Sequence, residues 1–223
     1  MKKLFLILFI CTLAGLILLS CGNKEEAGAP KKTPVMERPL EGKKVVMIIA
    51  QKDFRDDELL DPEALLADQG AIVTIASTTM EMVRGMQGGD VQPDMLVGEI
   101  KPEEWDAVVF VGGVGASQYW DDSTAHAVAK GTIEAGKVLG AICIAPVTLA
   151  NAGLLKGKKA TCWESEAEKL KAKGAEFTGA YVEKDGKIIT ANGPKASIAF
   201  GLQLSKALQE KPEEETTGAT QEN

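Results

Sequence analysis

Histidine appears once in the 223 residues, at position 126. Chemistry elsewhere in the chain therefore proceeds without a group whose unperturbed pKa lies near about 6.5. Aromatic residues make up only 5 % of the chain, so Tyr119, Trp120 and Trp163 stand out against a thin background. Positive charge is also short, with 25 Lys and Arg against 32 Asp and Glu. No basic stripe compensates for it, which argues against a nucleic-acid partner. Four cysteines occur, at 11, 21, 143 and 162, without metal-ligand spacing, and the sequence implies neither a metal nor a cofactor.

What is present begins with MKKLFLILFICTLAGLILLSC. Lys2 and Lys3 precede an apolar run closing at Leu19, shorter than the about 20 residues a membrane span needs. The small Ser20 directly before Cys21 resembles the lipobox of bacterial lipoproteins, which implies that Cys21 is lipidated and becomes the first mature residue. An uncleaved N-terminal anchor is the alternative. Both put the protein on a membrane in the cell envelope, outside the cytoplasm. Residues 1–20 read as signal peptide and residues 21–41, rich in Lys, Glu, Pro and Gly, as a flexible tether. Residues 42–211 suit one domain with a core, and residues 212–223 form an acidic tail. Cys143 and Cys162 then remain in the mature domain, where an oxidising envelope makes a disulfide between them conceivable.

Within the domain, KKVVMIIA, AIVTIAS, DAVVFVGG and KVLGAIC are short β-branched runs of the kind buried parallel strands need. Helical patterns cover residues 57–68, 123–135 and 145–151, and a last helix covers 195–209. AYVEKDG and KIITANG form a hairpin pattern turning at Asp185 and Gly186. Strand alternating with helix implies an α/β fold, a doubly wound, mostly parallel sheet with helices on both faces, flavodoxin-like in arrangement. Ligands bind such sheets outside the carboxyl ends of the strands. Three segments leave strands at that edge: residues 53–58, the glycine-rich residues 112–116, and Cys143.

A strand that breaks directly into a helix exposes the turn residue and crowds its neighbours, which the small Ala141 and Ala145 satisfy. Pro146 fits a first helical turn. The N-terminus of the following helix is expected to favour thiolate at Cys143. The alternative is an inert core cysteine. Glu58 has an equally plain alternative as a first-turn helix acid, and Gly112 and Gly113 as turn formers.

AICIAP after a strand, the earlier VGGVGA and FRDDELLDPEALLADQGAIVTIAS together resemble the ThiJ/PfpI family over nearly the whole of residues 43–208. The resemblance implies that Cys143 is an elbow nucleophile, that Glu58 is the carboxyl group beside the sulfur, and that the N–H groups of Gly113 and Ile144 are the oxyanion hole. It also implies a homo-oligomer and a small-molecule electrophile as partner. The chain departs from the family in its histidines. The protease branch has histidine where Ile144 stands, and the deglycase branch has it where Trp163 stands. Class I glutamine amidotransferases share the fold and elbow but need a histidine after the cysteine, and none follows Cys143. The resemblance also disfavours peptidase activity, because the protease branch draws an acid from a neighbouring subunit in the stretch after its glycine pair, and VGASQYW supplies none before Asp121.

Two functions remain. One is a Cys-Glu enzyme acting on small reactive carbonyls in stress protection, glyoxalase- or deglycase-like or a related hydrolase. The other is a non-catalytic envelope protein whose thiol senses oxidants or binds a ligand. His126 is expected on a helix surface. Tyr119, Trp120 and Trp163 read either as an aromatic lid over the thiol or as core and dimer contacts.

Overall fold

A computed structural model describes residues 38–210. The expected signal, the lipidation residue Cys21 and the acidic tail lie outside the described residues. The central sheet has strands β1 (Lys44–Ile48), β2 (Ile72–Ser77), β3 (Met95–Leu96), β4 (Ala107–Phe110), β5 (Val138–Ile142), β6 (Val182–Asp185) and β7 (Ile188–Ala191). Side by side they run β6-β7-β5-β4-β1-β2-β3. Every pairing is parallel except the β6–β7 hairpin.

Strands β4 and β5 are apolar along their length, and β1 after its exposed first residue Lys44, because both faces are covered. Helices α1 (Asp56–Asp68) and α5 (Ser197–Gln209) cover one face, burying Leu59, Leu66, Phe200 and Leu204. Helices α2 (Ser123–Glu134), α3 (Pro146–Asn151) and α4 (Ala167–Ala172) cover the other with Val128, Val147, Leu149 and Leu170. Each such side chain contributes about 1.5–3 kcal/mol when fully buried. No described helix is long and apolar enough to cross a membrane.

Helix α1 starts at Asp56, one residue before the expected boundary. The Asp56 carboxylate accepts the Gln87 and Gly89 N–H groups, each at 2.7 Å, and ties the turn between two short strands, Val83–Gly85 and Asp90–Val91, against the helix. Helix α5 starts at Ser197 rather than 195, because Pro194–Ala196 forms a separate 3-10 turn. Strand β1 leaves a switch point, with β2 on one side and β4 on the other, so the loops after β1 and β4 diverge at the carboxyl edge and open a crevice. At the opposite edge Lys43, directly before β1, lines a common cleft with Lys137, Lys187 and Glu210, the last described residue.

Candidate active site

The chain turns sharply where β5 ends. Cys143 has φ 63°, in the left-handed region, a conformation costing roughly 1–3 kcal/mol unless the surroundings enforce it. Here its N–H donates to the Ala191 carbonyl at 2.9 Å and its carbonyl accepts the Trp163 N–H at 2.8 Å. The thiol lines a cavity of about 450 Å³ at the carboxyl edge of the sheet.

Glu58 reaches the same cavity from the first turn of α1 and is 0 % exposed. Neither carboxyl oxygen has a well-formed hydrogen-bond partner among the described residues, and the groups they face are the Cys143 thiol and the Gly112 N–H. Burial pushes the Glu58 carboxyl up to about 8, against the pull of the Cys143 thiol and the Arg55 charge. At neutral pH it holds its proton and is a donor. It is not an ordinary exposed first-turn acid.

The expected thiolate is corrected. Burial, followed by the Glu58 charge, pushes the Cys143 thiol up to about 12, although the N–H groups of Gly113 and Ile144 face the sulfur and pull it down. The helix that follows has 6 residues, too little dipole to outweigh desolvation.

Gly112 and Gly113 are more than turn formers. A Cβ at 112 would lie 2.2 Å from Glu58 Oε2 and 2.5 Å from Cys143 Cβ. Gly113 has φ 94°, and its Cβ would stand 2.4 Å from the Arg55 nitrogen. The Arg55 N–H donates to the Gly112 carbonyl at 3.0 Å, which locks the two loops together.

Several cavity residues were not singled out in the sequence. Arg55 forks onto Asp57 through Nε at 2.8 Å and Nη2 at 3.3 Å, and its proximity to Glu58 in the chain was the available signal. Met86 is carried in by the turn that Asp56 holds, and Glu166, paired with Lys169, closes the rim; nothing in the sequence pattern marked either.

The aromatic residues divide. Trp120 and Trp163 line the cavity. Tyr119 does not: it is 2 % exposed, packs edge-on to Phe110 and donates its hydroxyl to the Ile49 carbonyl at 2.8 Å. His126 is half-buried rather than a free surface residue. Its Nε2 lies 2.8 Å from the Trp120 carbonyl, and it does not line the thiol cavity. Cys143 and Cys162 are both free thiols, because they pack into the cores on opposite faces of the sheet. Among the described residues no three His, Cys, Asp or Glu side chains are grouped to hold a metal ion.

The sequence model of the DJ-1/PfpI family matches residues 43–207. An uncharacterised protein of Methanocaldococcus jannaschii is 36 % identical, over 96 % of this chain and 100 % of its own. A deglycase of Thermococcus kodakarensis is 32 % identical over 74 % of this chain and 99 % of its own. A glutathione-independent glyoxalase of Caenorhabditis elegans is 24 % identical over 75 % of this chain and 89 % of its own. Among solved structures, a ThiJ/PfpI domain protein from Brachyspira murdochii superposes with a TM-score of 0.74 at 29 % identity, covering 77 % of this chain and 100 % of that one.

Proposed function

The chain belongs to the DJ-1/PfpI family, and from that footing we propose that it is a Cys-Glu enzyme acting on small reactive carbonyls, with Cys143 as nucleophile and Glu58 as the group that moves protons. The observation that carries this reading is the Glu58 carboxyl, enclosed beside the thiol, raised to about 8 and left without a partner of its own. A group with its pKa near the working pH is matched to both giving and taking a proton. Relatives named deglycase and glyoxalase support the same class of chemistry.

The cavity suits an α-oxoaldehyde such as methylglyoxal. Sulfur adds to the aldehyde carbon and the thiol proton passes through the Glu58 carboxyl to the carbonyl oxygen. The charge developing there meets the N–H groups of Gly113 and Ile144. Glu58, protonated again after that relay, gives its proton to water, as a group with its pKa at about 8 can. In the resulting hemithioacetal the carboxylate then removes the proton from the carbon bearing sulfur and returns it to the neighbouring carbon through an enediol. The hydroxyl proton moves to the neighbouring oxygen, and Glu58 takes a proton back from water. That leaves a thioester of a 2-hydroxy acid. Water then cleaves the thioester, releases the acid and restores the thiol, so carbonyl and water are the only reactants consumed. Expelling an amine from a peptide needs a stronger general acid, and peptidase activity is not part of the proposal.

An oxidant sensor requires an accessible thiol of low pKa. Cys143 is only 9 % exposed, and the unpartnered carboxyl beside it supplies proton transfer that sensing does not need. On sequence grounds the proposal includes lipid anchoring through Cys21 in the cell envelope and assembly as a homo-oligomer.

The test is turnover of methylglyoxal by the purified protein, beside Cys143→Ser and Glu58→Gln, with stoichiometric peroxide oxidation measured in parallel. Steady 2-hydroxy acid formation that disappears in Cys143→Ser is the expected result. A protein that consumes no α-oxoaldehyde, yet takes up one oxidising equivalent at Cys143, overturns the reading in favour of the sensor.

A further inference from the structure

Two tryptophans hold the two peptide groups that flank Ile144. The Cys143 carbonyl accepts the backbone N–H of Trp163 at 2.8 Å. Because the peptide is planar and trans, that bond aims the Ile144 N–H of the same peptide the opposite way, toward the sulfur. One peptide further on, the Ile144 carbonyl accepts the indole Nε1–H of Trp120 at 3.1 Å, with only a longer contact of 3.3 Å from the Val147 N–H beside it.

Trp120 is itself pinned. Its carbonyl meets His126 Nε2 at 2.8 Å and Asn151 Nδ2 at 2.9 Å. The Lys169 ammonium lies over its ring, 4.8 Å from the centroid, and pairs with Glu166 at the cavity rim. An indole held at its backbone and on its face is a rigid donor, which places its acceptor without paying for side-chain ordering at the moment of reaction.

We propose that Trp120 is a positioning residue: its indole N–H fixes Ile144, and through it the backbone donor aimed at the developing oxyanion, while its ring forms the cavity wall. The inference rests on the Cys143 reading above. It separates two roles that one residue performs, because phenylalanine keeps the wall and deletes the donor.

The test uses the full chain with Trp120→Phe and, as a contrast, Trp163→Phe, which keeps the backbone N–H that holds Cys143. Two readouts are compared: kcat and KM for methylglyoxal, and the pH dependence of Cys143 alkylation by iodoacetamide, followed by peptide mass mapping. Loss of one oxyanion donor costs about 10²–10³ in kcat. For a donor misaimed rather than removed, Trp120→Phe is expected to lose about tenfold in kcat with KM within about twofold, and to shift the alkylation profile to higher pH. Trp163→Phe is expected to leave the alkylation profile in place. Should Trp120→Phe fail to fold, His126→Ala/Asn151→Ala, which frees the Trp120 backbone, is expected to shift the profile the same way by a smaller amount. An unmoved profile in Trp120→Phe, or in that double variant, overturns the inference. If no variant and no wild-type protein turns over a carbonyl, the proposed function fails, and the alkylation profile still decides whether Trp120 positions Ile144.

Discussion

Glu58 and Cys143 meet across the backbone of Gly112, so closely that a single methyl group there would lie within 2.5 Å of both side chains. Gly112→Ala must push the acid and the thiol apart or bend the loop that carries Gly113. The expected stability loss is about 1–3 kcal/mol, the usual cost of overpacking, together with a fall in turnover larger than that loss explains. Urea unfolding beside steady-state kinetics checks it, and an active Gly112→Ala protein with unchanged kcat removes the close pairing from the mechanism.

The raised Glu58 pKa has a definite sign in stability. The group titrates at 4.5 when unperturbed and at about 8 in the fold. Between those values the folded protein keeps a proton that the unfolded chain has lost, so stability falls as pH rises through the window, by at most about 1.4 kcal/mol per pH unit. Below the window the group contributes nothing, and above it the penalty is complete. Glu58→Gln removes this slope, so its melting temperature is expected to gain on wild type between pH 5 and 8 while turnover falls by about 10²–10⁴-fold. Parallel melting curves in that range, together with rates, test both halves.

The two thiols are separated by access rather than by acidity, because burial pushes both up to about 12. Cys143 is 9 % exposed and borders the cavity, whereas Cys162 is 1 % exposed and bonds to the Trp163 carbonyl. Iodoacetamide at neutral pH is expected to label Cys143 first and slowly, speeding up with pH. Equal labelling in the folded protein would contradict this.

His126→Ala is expected to leave methylglyoxal turnover within about twofold, the scale of a substitution away from the reacting atoms. Asn151 keeps the Trp120 carbonyl paired when the imidazole is gone, so no buried acceptor is orphaned. A loss of tenfold or more would mean that imidazole either reaches the thiol or holds Trp120 without help from Asn151. Repeating His126→Ala in the Trp120→Phe background, where only the first route survives, separates the two.

Cys21→Ala is expected to abolish acylation and leave the precursor uncleaved or mislocalised. Labelling with a fatty-acid analogue, followed by membrane fractionation, checks this. Mature protein free of membrane with an unmodified Cys21 overturns the anchor.

The four apolar runs were legible as strands because a parallel sheet covered on both faces demands continuous β-branched sequence, and β1, β2, β4 and β5 supply it. The meeting of residues 53–58, residues 112–116 and Cys143 was legible for a related reason, since parallel strands deliver their carboxyl ends to one edge, whereas singling out Glu58, Gly113 and Ile144 took the family resemblance. Strand β3 and the short strands around Met86 were not, since two or three residues carry no period. Tyr119 and Trp120 are neighbours in sequence and part ways in space, because the 3-10 turn Val114–Tyr119 aims one at the core and releases the next to the cavity. The thiol acidity was misjudged because a helix start can be read along a chain, whereas the depth of a sulfur atom cannot.

Lys43 and Glu210 border one cleft at the amino edge of the sheet, and the thiol cavity opens at the other. A label or surface linkage fixed directly to Lys43 or Glu210 therefore sits across the sheet from Cys143 and leaves the rim of the thiol cavity uncovered.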